Sequence, residues 1–407
     1  MRQALGSLVC LGRRCLTRII WTNGGQNRSW GAEYFLHSRC QWEPQRLFPS
    51  ILKRALAYCP GRLVGVAIDD TRLRKTGRAI QQAFYQRDPL WPPFHLNLML
   101  GLRFLQASLL VPLHRNAPVG TRALPIRFQE VSRVKRPGKK ASAEMRQQYK
   151  EAVKQMNLSR SFVDMGGQLR QELDHNGGRD KILVLTVDGS FCNRTCFGGI
   201  PERTILLARA RKNAKLCFRA VDHPRRFYAV EKFTPEQVRK DEDCAWKTTQ
   251  IFYGGQRRKV RYKPVANVYW QGGARKLPLR LIVIAPTPYR KSKSKKMYYR
   301  DPAYLLTSDL RSSPSAIVES HLRSQTAGLG RGCLQGPAAG VAGGLRGRAR
   351  KGLRGPPQVA AKGPPAFRVG SGDSPPQGNG RAAGITRSAR FPDLRSGLSS
   401  GCGRLKM

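Results

Sequence analysis

The chain has 407 residues, with 74 lysines and arginines against 25 aspartates and glutamates, so its formal net charge is +49 at pH 7. This length allows one large domain or two ordinary domains with a sizeable core. Such a charge does not determine a fold, but it attracts polyanions and favours contacts with phosphates. It indicates nucleic acid as the partner, the alternative being a protein that is merely basic and soluble.

Neither the apolar stretches nor the cysteines indicate a membrane-spanning, secreted or zinc-binding protein. The most apolar stretch, residues 95–114, contains Arg103 and is better interpreted as strands than as a spanning helix. The N-terminal apolar patch is interrupted by arginines and no small-residue cleavage site follows it, so we expect no signal peptide. The ten cysteines include no Cys-x-x-Cys pair. Cys192 and Cys196 lie four apart without a neighbouring histidine, which favours reduced thiols over zinc ligands.

Residues 1–60 are predicted to form an N-terminal helical segment. Apolar side chains such as Leu47, Ile51 and Leu56 recur there at roughly helical spacing, and a Pro-Gly pair at positions 60 and 61 ends the pattern. Residues 61–323 are predicted to form an α/β core. Strands are expected at 63–69, 94–100, 104–113, 182–188, 204–209 and 303–310, with helices at 142–175 and 313–323 and basic, β-rich segments between 247 and 286.

Residues 324–407 have a different composition and are predicted to be a disordered tail. From position 321 onwards the chain holds 19 of its 41 glycines but only two acids and two aromatic residues, too few apolar groups to offset chain entropy. One interpretation is an Arg/Gly-rich tail that binds nucleic acid. The interpretation that we favour is a reading frame that has slipped near codon 323, because the composition resembles GC-rich DNA read out of frame.

Acidic residues follow two of the predicted buried strands. Asp69 and Asp70 come after the run at 63–68, and Asp188 comes after the run at 182–187. Three antiparallel strands, a helix and further strands predict an RNase H-like mixed sheet flanked by helices, in which the first and fourth strands are neighbours. Asp69 would then lie beside Asp188. Two carboxylates so close repel each other unless a cation neutralises them, and Mg²⁺ prefers oxygen ligands.

Two Mg²⁺ ions about 3.5–4 Å apart can activate a water or a 3′-hydroxyl and stabilise the leaving oxygen of a phosphodiester. This predicts a two-metal site for phosphoryl transfer on DNA. The structural alternative is that each acid forms a turn or caps a helix, since the sequences "DDT" and "DGS" both suit turns.

Four segments resemble the DDE transposases of bacterial insertion sequences: "VAIDDTRLRKTG", "ILVLTVDGSFCN", "RTILLARARKNAKL" and "AYLLTSDL". The resemblance covers roughly residues 28–323. It implies an RNase H-like core with a β-rich insertion at about residues 218–290. It further implies Mg²⁺-dependent cleavage and strand transfer at terminal inverted repeats of double-stranded DNA, by a homodimer associated with the bacterial nucleoid in the cytoplasm.

The resemblance also assigns the site residues. The first acid falls on Asp69, with Asp70 as the alternative, and the second falls on Asp188. These three residues are the candidate metal ligands. Asp69 and Asp188 are the candidate catalytic pair. The basic residues expected to face DNA or hold phosphates are Arg209, Arg211, Lys212, Lys215, Arg257, Arg258 and Lys259. Their alternative role is that of a solvated charged surface.

The third acid of the family lies on a late helix, within a Tyr-x2-Arg-x3-Glu-x6-Lys pattern. If His321 takes the Tyr position, the other three positions fall on Ser324, Gly328 and Gln335, and none of the four fits. Glu319 precedes the pattern and is expected to point elsewhere. The metal site would therefore lack a ligand. We expect a transposase by ancestry that is catalytically defective, the alternative being a non-catalytic basic protein that binds DNA or RNA.

Overall fold

A computed structural model of the chain describes residues 2–326, except for positions 13, 42, 78–79, 81, 89–96, 114–119, 222, 224, 254–255 and 290–295. The helices of this part of the chain are α1 Arg2–Val9, α2 Leu16–Thr22, α3 Gly31–Ser38, α4 Phe48–Leu56, α5 Ala143–Gln155, α6 Leu158–His175, α7 Arg194–Gly198, α8 Pro235–Lys240, α9 Gln271–Ala274 and α10 Pro314–Thr326. Short 3-10 helices occur at Pro44–Leu47 and Gly189–Phe191.

The strands are β1 Leu63–Arg74, β2 Phe84–Arg87, β3 Leu98–Pro112, β4 Thr121–Glu130, β5 Ile182–Val187, β6 Thr204–Arg209, β7 Lys247–Tyr253, β8 Gln256–Val268, β9 Leu279–Ile284, β10 Pro288–Tyr289, β11 Tyr298–Tyr299 and β12 Ala303–Thr307. Ten of them form one sheet in the order β2-β3-β1-β5-β6-β12-β9-β8-β7, with β4 also paired to β3. The pairs β1–β5 and β5–β6 are parallel and the others are antiparallel. The prediction of a mixed α/β fold is therefore confirmed.

One face of the sheet, the α6 face, is covered by α4 and α6. Alternate residues of the central strands point to it, including Val66, Leu185 and Leu206, and they pack with Phe162 and Leu169 of α6. All five are at most 1 % exposed. Full burial of side chains of this size contributes about 1.5–3 kcal/mol each, so this layer is the main core.

The opposite face, the α10 face, is covered by α10. Leu207, Ile282 and Leu305 pack there against Ile317 and Val318 of this helix. The helix touches β1, β5 and β9 in the middle of the sheet and also β4 and β7 near its ends. The sheet therefore curves around α10.

The structure corrects two of the predicted elements. The strands expected at 94–100 and 104–113 are one strand, β3, although positions 94 and 96 lie outside the described residues. The helix expected at 142–175 is two helices, because Met156 leaves the helical conformation and the side chain of Asn157 caps α6 by accepting a hydrogen bond from the Arg160 amide at 3.0 Å.

Two further elements differ from their predicted bounds. The late helix, expected to stop at position 323, continues to Thr326, so Ser324 belongs to a helix rather than to the tail. The rest of the predicted tail lies outside the described residues. In the range expected to hold a β-rich insertion, β7, β8 and β9 continue the main sheet beyond β12 and do not form a sheet of their own.

Candidate metal and nucleic-acid site

The parallel pairing of β1 with β5 brings the two predicted acids together. The pairing runs from Leu63 opposite Ile182 to Ile68 opposite Val187. Asp69 and Asp188 are the next residue on each side, so they lie level with each other and, by strand alternation, both point to the α10 face. Neighbouring strands are about 4.8 Å apart, so the two acids follow adjacent positions of adjacent strands. The structure therefore brings together two residues that are 119 positions apart in the sequence.

Only one of these acids stands at the end of its strand. Asp188 directly follows β5, as expected, but β1 continues past Asp69 to Arg74. The continuation pairs with β3, with Asp70 opposite Leu105 and Arg74 opposite Gly101. Our expectation that the first acids end a strand is therefore wrong, because the partner strand β3 is longer than the apolar pattern indicated.

Asp70 is engaged on the other face of the sheet. It points to the α6 side, where its carboxylate accepts a hydrogen bond from Arg103 Nε at 2.7 Å and forms an ion pair with Arg72 at 3.7 Å. The two guanidinium groups neutralise this carboxylate. Of the two alternatives for the first ligand, the geometry favours Asp69, which shares a face with Asp188.

Asp188 also has the capping role that the turn interpretation suggested. Its Oδ1 atom accepts a hydrogen bond from the Ser190 amide at 2.8 Å, and its Oδ2 atom accepts one from the Ser190 hydroxyl at 3.3 Å, at the start of a short 3-10 helix. Asp69 Oδ1 accepts a hydrogen bond from the Asp70 amide at 2.9 Å. A carboxylate offers about four lone-pair sites, so neither set of bonds prevents metal coordination.

A row of polar residues crosses four neighbouring strands on the α10 face. Gln106 of β3 pairs directly with Asp69, and Arg209 of β6 follows Ala208, which pairs with Val187. Gln106, Asp69, Asp188 and Arg209 therefore stand side by side, and we refer to these four residues as the acid row. Arg209 is exposed, so the row joins a carboxylate pair to a cation that can reach a ligand.

Two buried polar groups beside the acids were missed by the sequence reasoning. Gln106 is 4 % exposed; its Nε2 donates to the Ser108 hydroxyl at 3.2 Å, whereas its Oε1 has no hydrogen-bond partner in the described part of the chain. The Thr186 hydroxyl, two residues before Asp188 on the same face, is buried and equally unpartnered among those residues. Lone polar residues in the apolar runs "FLQASLL" and "ILVLTV" are the sequence signal that could have revealed them.

Helix α10 brings His321 close to Arg209. The imidazole is buried; its Nε2 lies 3.0 Å from Gln325 Nε2, and its Nδ1 has no hydrogen-bond partner among the residues described. Burial, followed by the positive charge of Arg209, lowers the pKa of His321 to about 4. The residue at the family's Tyr position is therefore a neutral, enclosed side chain.

No described residue of α10 supplies the third acid. Glu319 forms an ion pair with Arg323 at 2.6 Å on the helix surface, as its position ahead of the pattern predicted. Ser324 is buried and its hydroxyl donates to the His321 carbonyl at 2.7 Å. Positions 328 and 335, where the Glu and Lys would fall, lie outside the described residues.

Glu236 of α8 is another acid near this end of the sheet, but it is engaged with other side chains. Its carboxylate accepts hydrogen bonds from Arg239 Nε at 3.0 and 3.1 Å and from the Tyr304 hydroxyl. The hydrogen bond from Arg239, and then that from Tyr304, lower its pKa to about 2. Tyr304 belongs to the α6 face, so Glu236 lies across the sheet from the acid row.

The predicted basic residues fall into two groups. Arg209 and the exposed residues after it, Arg211, Lys212 and Lys215, follow β6 next to Asp188. The second group, Arg257, Arg258 and Lys259, lies on β8, four strands from β5 or about 19 Å along the sheet.

The β7–β8 hairpin carries the second group past the sheet edge where the acids lie. Tyr262 is level with Ile284 and, across β9, with Ala303, so the preceding residues of β8 project beyond the edge. Arg258 donates from Nη1 to the Pro288 carbonyl at 3.2 Å. The structure thus brings the first basic group to the acid row and leaves the second on a separate arm.

One lysine of the same strand cannot contact a phosphate. Lys263 is 1 % exposed, and its ammonium donates to the carbonyls of Val238 at 3.2 Å, Arg239 at 3.3 Å and Asp241, at the C-terminal end of α8. The ammonium also lies 4.7 Å from the centre of the Trp246 ring. This cation stabilises the fold.

Other potential ligands and the comparisons with known proteins add no further assignment. Burial raises the pKa values of Cys192 and Cys196 to about 12 and 11, so both thiols are protonated at neutral pH. Within the described ranges no group of three or more His, Cys, Asp or Glu side chains is arranged to hold a metal ion. In that same part of the chain every helix is too short or too polar to cross a membrane.

Neither protein-family models nor curated proteins match the sequence.

Proposed function

We propose that the chain is a DDE transposase polypeptide of a bacterial insertion sequence, with an RNase H-like core, and that a missing third acid leaves it catalytically defective. The observation that carries the proposal is the parallel pairing of β1 with β5, which sets Asp69 beside Asp188 on one face of the sheet. The four sequence segments that resemble the family all lie on or next to the central strands β1, β5, β6 and β12.

The residues present fit a hard divalent cation. Asp69 and Asp188 offer carboxylate oxygens from neighbouring positions of the acid row. When bound, Mg²⁺ would activate a hydroxyl and stabilise the leaving oxygen of a phosphodiester. Arg209, next to Asp188, would hold the phosphate of the reacting strand.

The exposed cations beside the acid row would bind the neighbouring phosphates. The proposed DNA is the double-stranded terminal inverted repeat of the element, bound by a homodimer. Contacts of this kind release counterions, so the logarithm of the binding constant should fall by about 0.9 per phosphate for each tenfold rise in salt. A salt titration therefore measures how many phosphates the protein neutralises.

The DNA-binding part of the proposal is tested with two matched variants of equal charge. In the first, Arg209, Arg211, Lys212 and Lys215 are all replaced by Ala; in the second, four exposed cations on α4 or just before β1 and β5 are replaced, namely Lys53, Arg54, Arg62 and Arg179. Binding to duplex DNA is measured by fluorescence anisotropy at several salt concentrations. We expect the first variant to lower the salt slope by about 3 to 4 and the second to change it by less than about 1. Equal losses would refute a DNA site at the acid row.

The catalytic part is tested by strand cleavage on supercoiled plasmid and on oligonucleotides carrying the element's terminal repeat, with Mg²⁺ or Mn²⁺. We expect only background cleavage. Robust turnover that disappears in Asp188→Ala would contradict the proposed defect while supporting the transposase ancestry. The gene supplies an independent test: a Tyr-x2-Arg-x3-Glu-x6-Lys segment in another frame downstream of codon 323 would support the frameshift.

A non-catalytic basic protein that binds DNA or RNA is the second candidate. The observation that favours it is the capping role of Asp188, which accounts for this acid without any metal. In that case Asp69→Asn and Asp188→Asn would leave divalent-metal binding unchanged. The transposase proposal requires that both variants lose it.

A further inference from the structure

A short hairpin follows β6 and is fixed to the end of β8. The described residues of 216–233 fold back on themselves, with Leu216 paired to Phe233 in an antiparallel bridge. The backbone of Cys217 exchanges two hydrogen bonds with that of Tyr269, at 3.0 and 2.8 Å. We refer to residues 216–233 as the aromatic hairpin. Because both of its contacts are backbone ladders, its base is held in place before any ligand binds.

The charge of the aromatic hairpin favours an anionic partner. Residues 218–233 hold only two acids, Asp222 and Glu231, against four exposed cations, which are Arg219, Arg225, Arg226 and Lys232. Three more exposed cations directly precede the hairpin, namely Arg211, Lys212 and Lys215. Leu216 is seven positions after Arg209, so the hairpin base lies within about 25 Å of the acid row. A polyanion bound at the acid row can therefore continue onto the hairpin.

The aromatic rings of the hairpin distinguish between kinds of nucleic acid. Phe218 is 48 % exposed, although its ring lies 5.1 Å from that of Phe233. Phe227 instead has cations over its ring, with Arg219 at 5.6 Å and Lys276 at 5.2 Å from the centroid. An exposed ring gains nothing from a duplex, whose bases are stacked inside, but it can stack on a base of an unpaired strand. Exposed rings among cations are therefore typical of single-strand binding.

We propose that the aromatic hairpin binds single-stranded DNA, with one base stacked on Phe218 and the adjoining phosphates bound by Arg225 and Arg226. This inference rests on the proposed DNA-binding function and adds a second partner to it, an unpaired strand that continues from the duplex at the acid row. Every base has a π face, so the hairpin should accept any sequence. The contact differs from the duplex site, where the cations from Arg209 to Lys215 need only phosphates.

The test measures the binding of three labelled probes to the full chain by fluorescence anisotropy. The probes are a short oligothymidylate, an abasic strand with the same number of phosphates, and a duplex. The first two differ only in their bases, so the ratio of their affinities separates stacking from charge. We expect the wild-type chain to bind the oligothymidylate about five- to a hundredfold more tightly than the abasic strand.

Substitutions at Phe218 test whether this ring provides the preference. Phe218→Leu keeps an apolar side chain but removes the ring; it should bring the ratio close to one and leave duplex affinity within twofold. Phe218→Trp enlarges the ring and should raise the ratio. Tyr85→Leu is the matched control, since Tyr85 is a 64 % exposed aromatic residue on β2, outside the hairpin. Its ratio should equal that of the wild type.

The outcomes separate this inference from the proposed function. Equal affinity of the wild type for the two single strands, or an unchanged ratio in Phe218→Leu, would overturn the hairpin site. The duplex site would still stand if the salt slope depends on the cations from Arg209 to Lys215. If those cations make no difference while Phe218 does, the duplex site is refuted and only the single-strand site remains. If circular dichroism shows that Phe218→Leu is unfolded, Phe218→Trp decides: a raised ratio supports stacking, and an unchanged or lower one overturns it.

Discussion

The buried His321 should make the stability of the fold depend on pH between about 6.5 and 4. Burial and the charge of Arg209 lower its pKa to about 4 in the folded chain, whereas the unfolded chain has the ordinary value near 6.5. Between these values the unfolded state takes up a proton that the native state refuses, so stability falls as the pH falls from 6.5 and levels off below 4. The full difference corresponds to about 3 kcal/mol, of which about 2 kcal/mol is lost between pH 7 and pH 5.

Urea denaturation followed by tryptophan fluorescence at pH 7 and at pH 5 measures this loss. Carboxylates contribute in the same direction near pH 5, so the informative quantity is the difference between the wild type and His321→Leu. The variant removes the titrating group and should lose about 2 kcal/mol less over this interval. His175→Gln, which changes an exposed histidine, is the control and should behave like the wild type. An equal pH dependence in the wild type and His321→Leu would refute the reasoning.

Three further substitutions test separate parts of the structure by chemical denaturation. Lys263→Met removes three buried hydrogen bonds and should cost about 3 kcal/mol, whereas the exposed Lys259→Met on the same strand should change stability by less than about 0.5 kcal/mol. Asp70→Asn breaks the ion pair with Arg103 and should cost about 1–3 kcal/mol while leaving Mn²⁺ affinity unchanged; a loss of affinity would instead make Asp70 the ligand. Asn157→Ala removes the cap of α6 and should cost about 1 kcal/mol, and no change would show that the cap is dispensable.

The proximity of the two acids was predictable because both strands can be recognised from their local sequence pattern. Each is a short run of buried aliphatic residues that an acid follows, and the order of strands and helix indicated which of them are neighbours. The choice between Asp69 and Asp70 was not predictable. The choice depends on which of the two residues points to the same face of the sheet as Asp188. That is fixed by the pairing register of β1 and β5, and a register between strands more than a hundred residues apart cannot be read from a local sequence pattern.

The length of β3 shows a second limit of sequence reasoning. Arg103 interrupts the apolar alternation and suggests a break between two strands, yet the strand continues because Asp70 of β1 neutralises the guanidinium from the neighbouring strand. A partly buried charge is stabilised by a partner of opposite charge, and the partner here is 33 positions away.

For the proposed transposase, the charge of the acid row determines which activity the absence of a third acid should remove. Asp69 and Asp188 carry two negative charges and Arg209 at the end of the row adds one positive charge, so the net charge of the row is −1. A second cation would therefore be repelled, and two-metal phosphoryl transfer requires both. DNA binding depends on exposed arginines and lysines and needs neither of the two metal ions. Under the proposed function we therefore expect the chain to keep DNA binding while losing strand transfer, so that it would compete with an intact transposase for the same DNA ends.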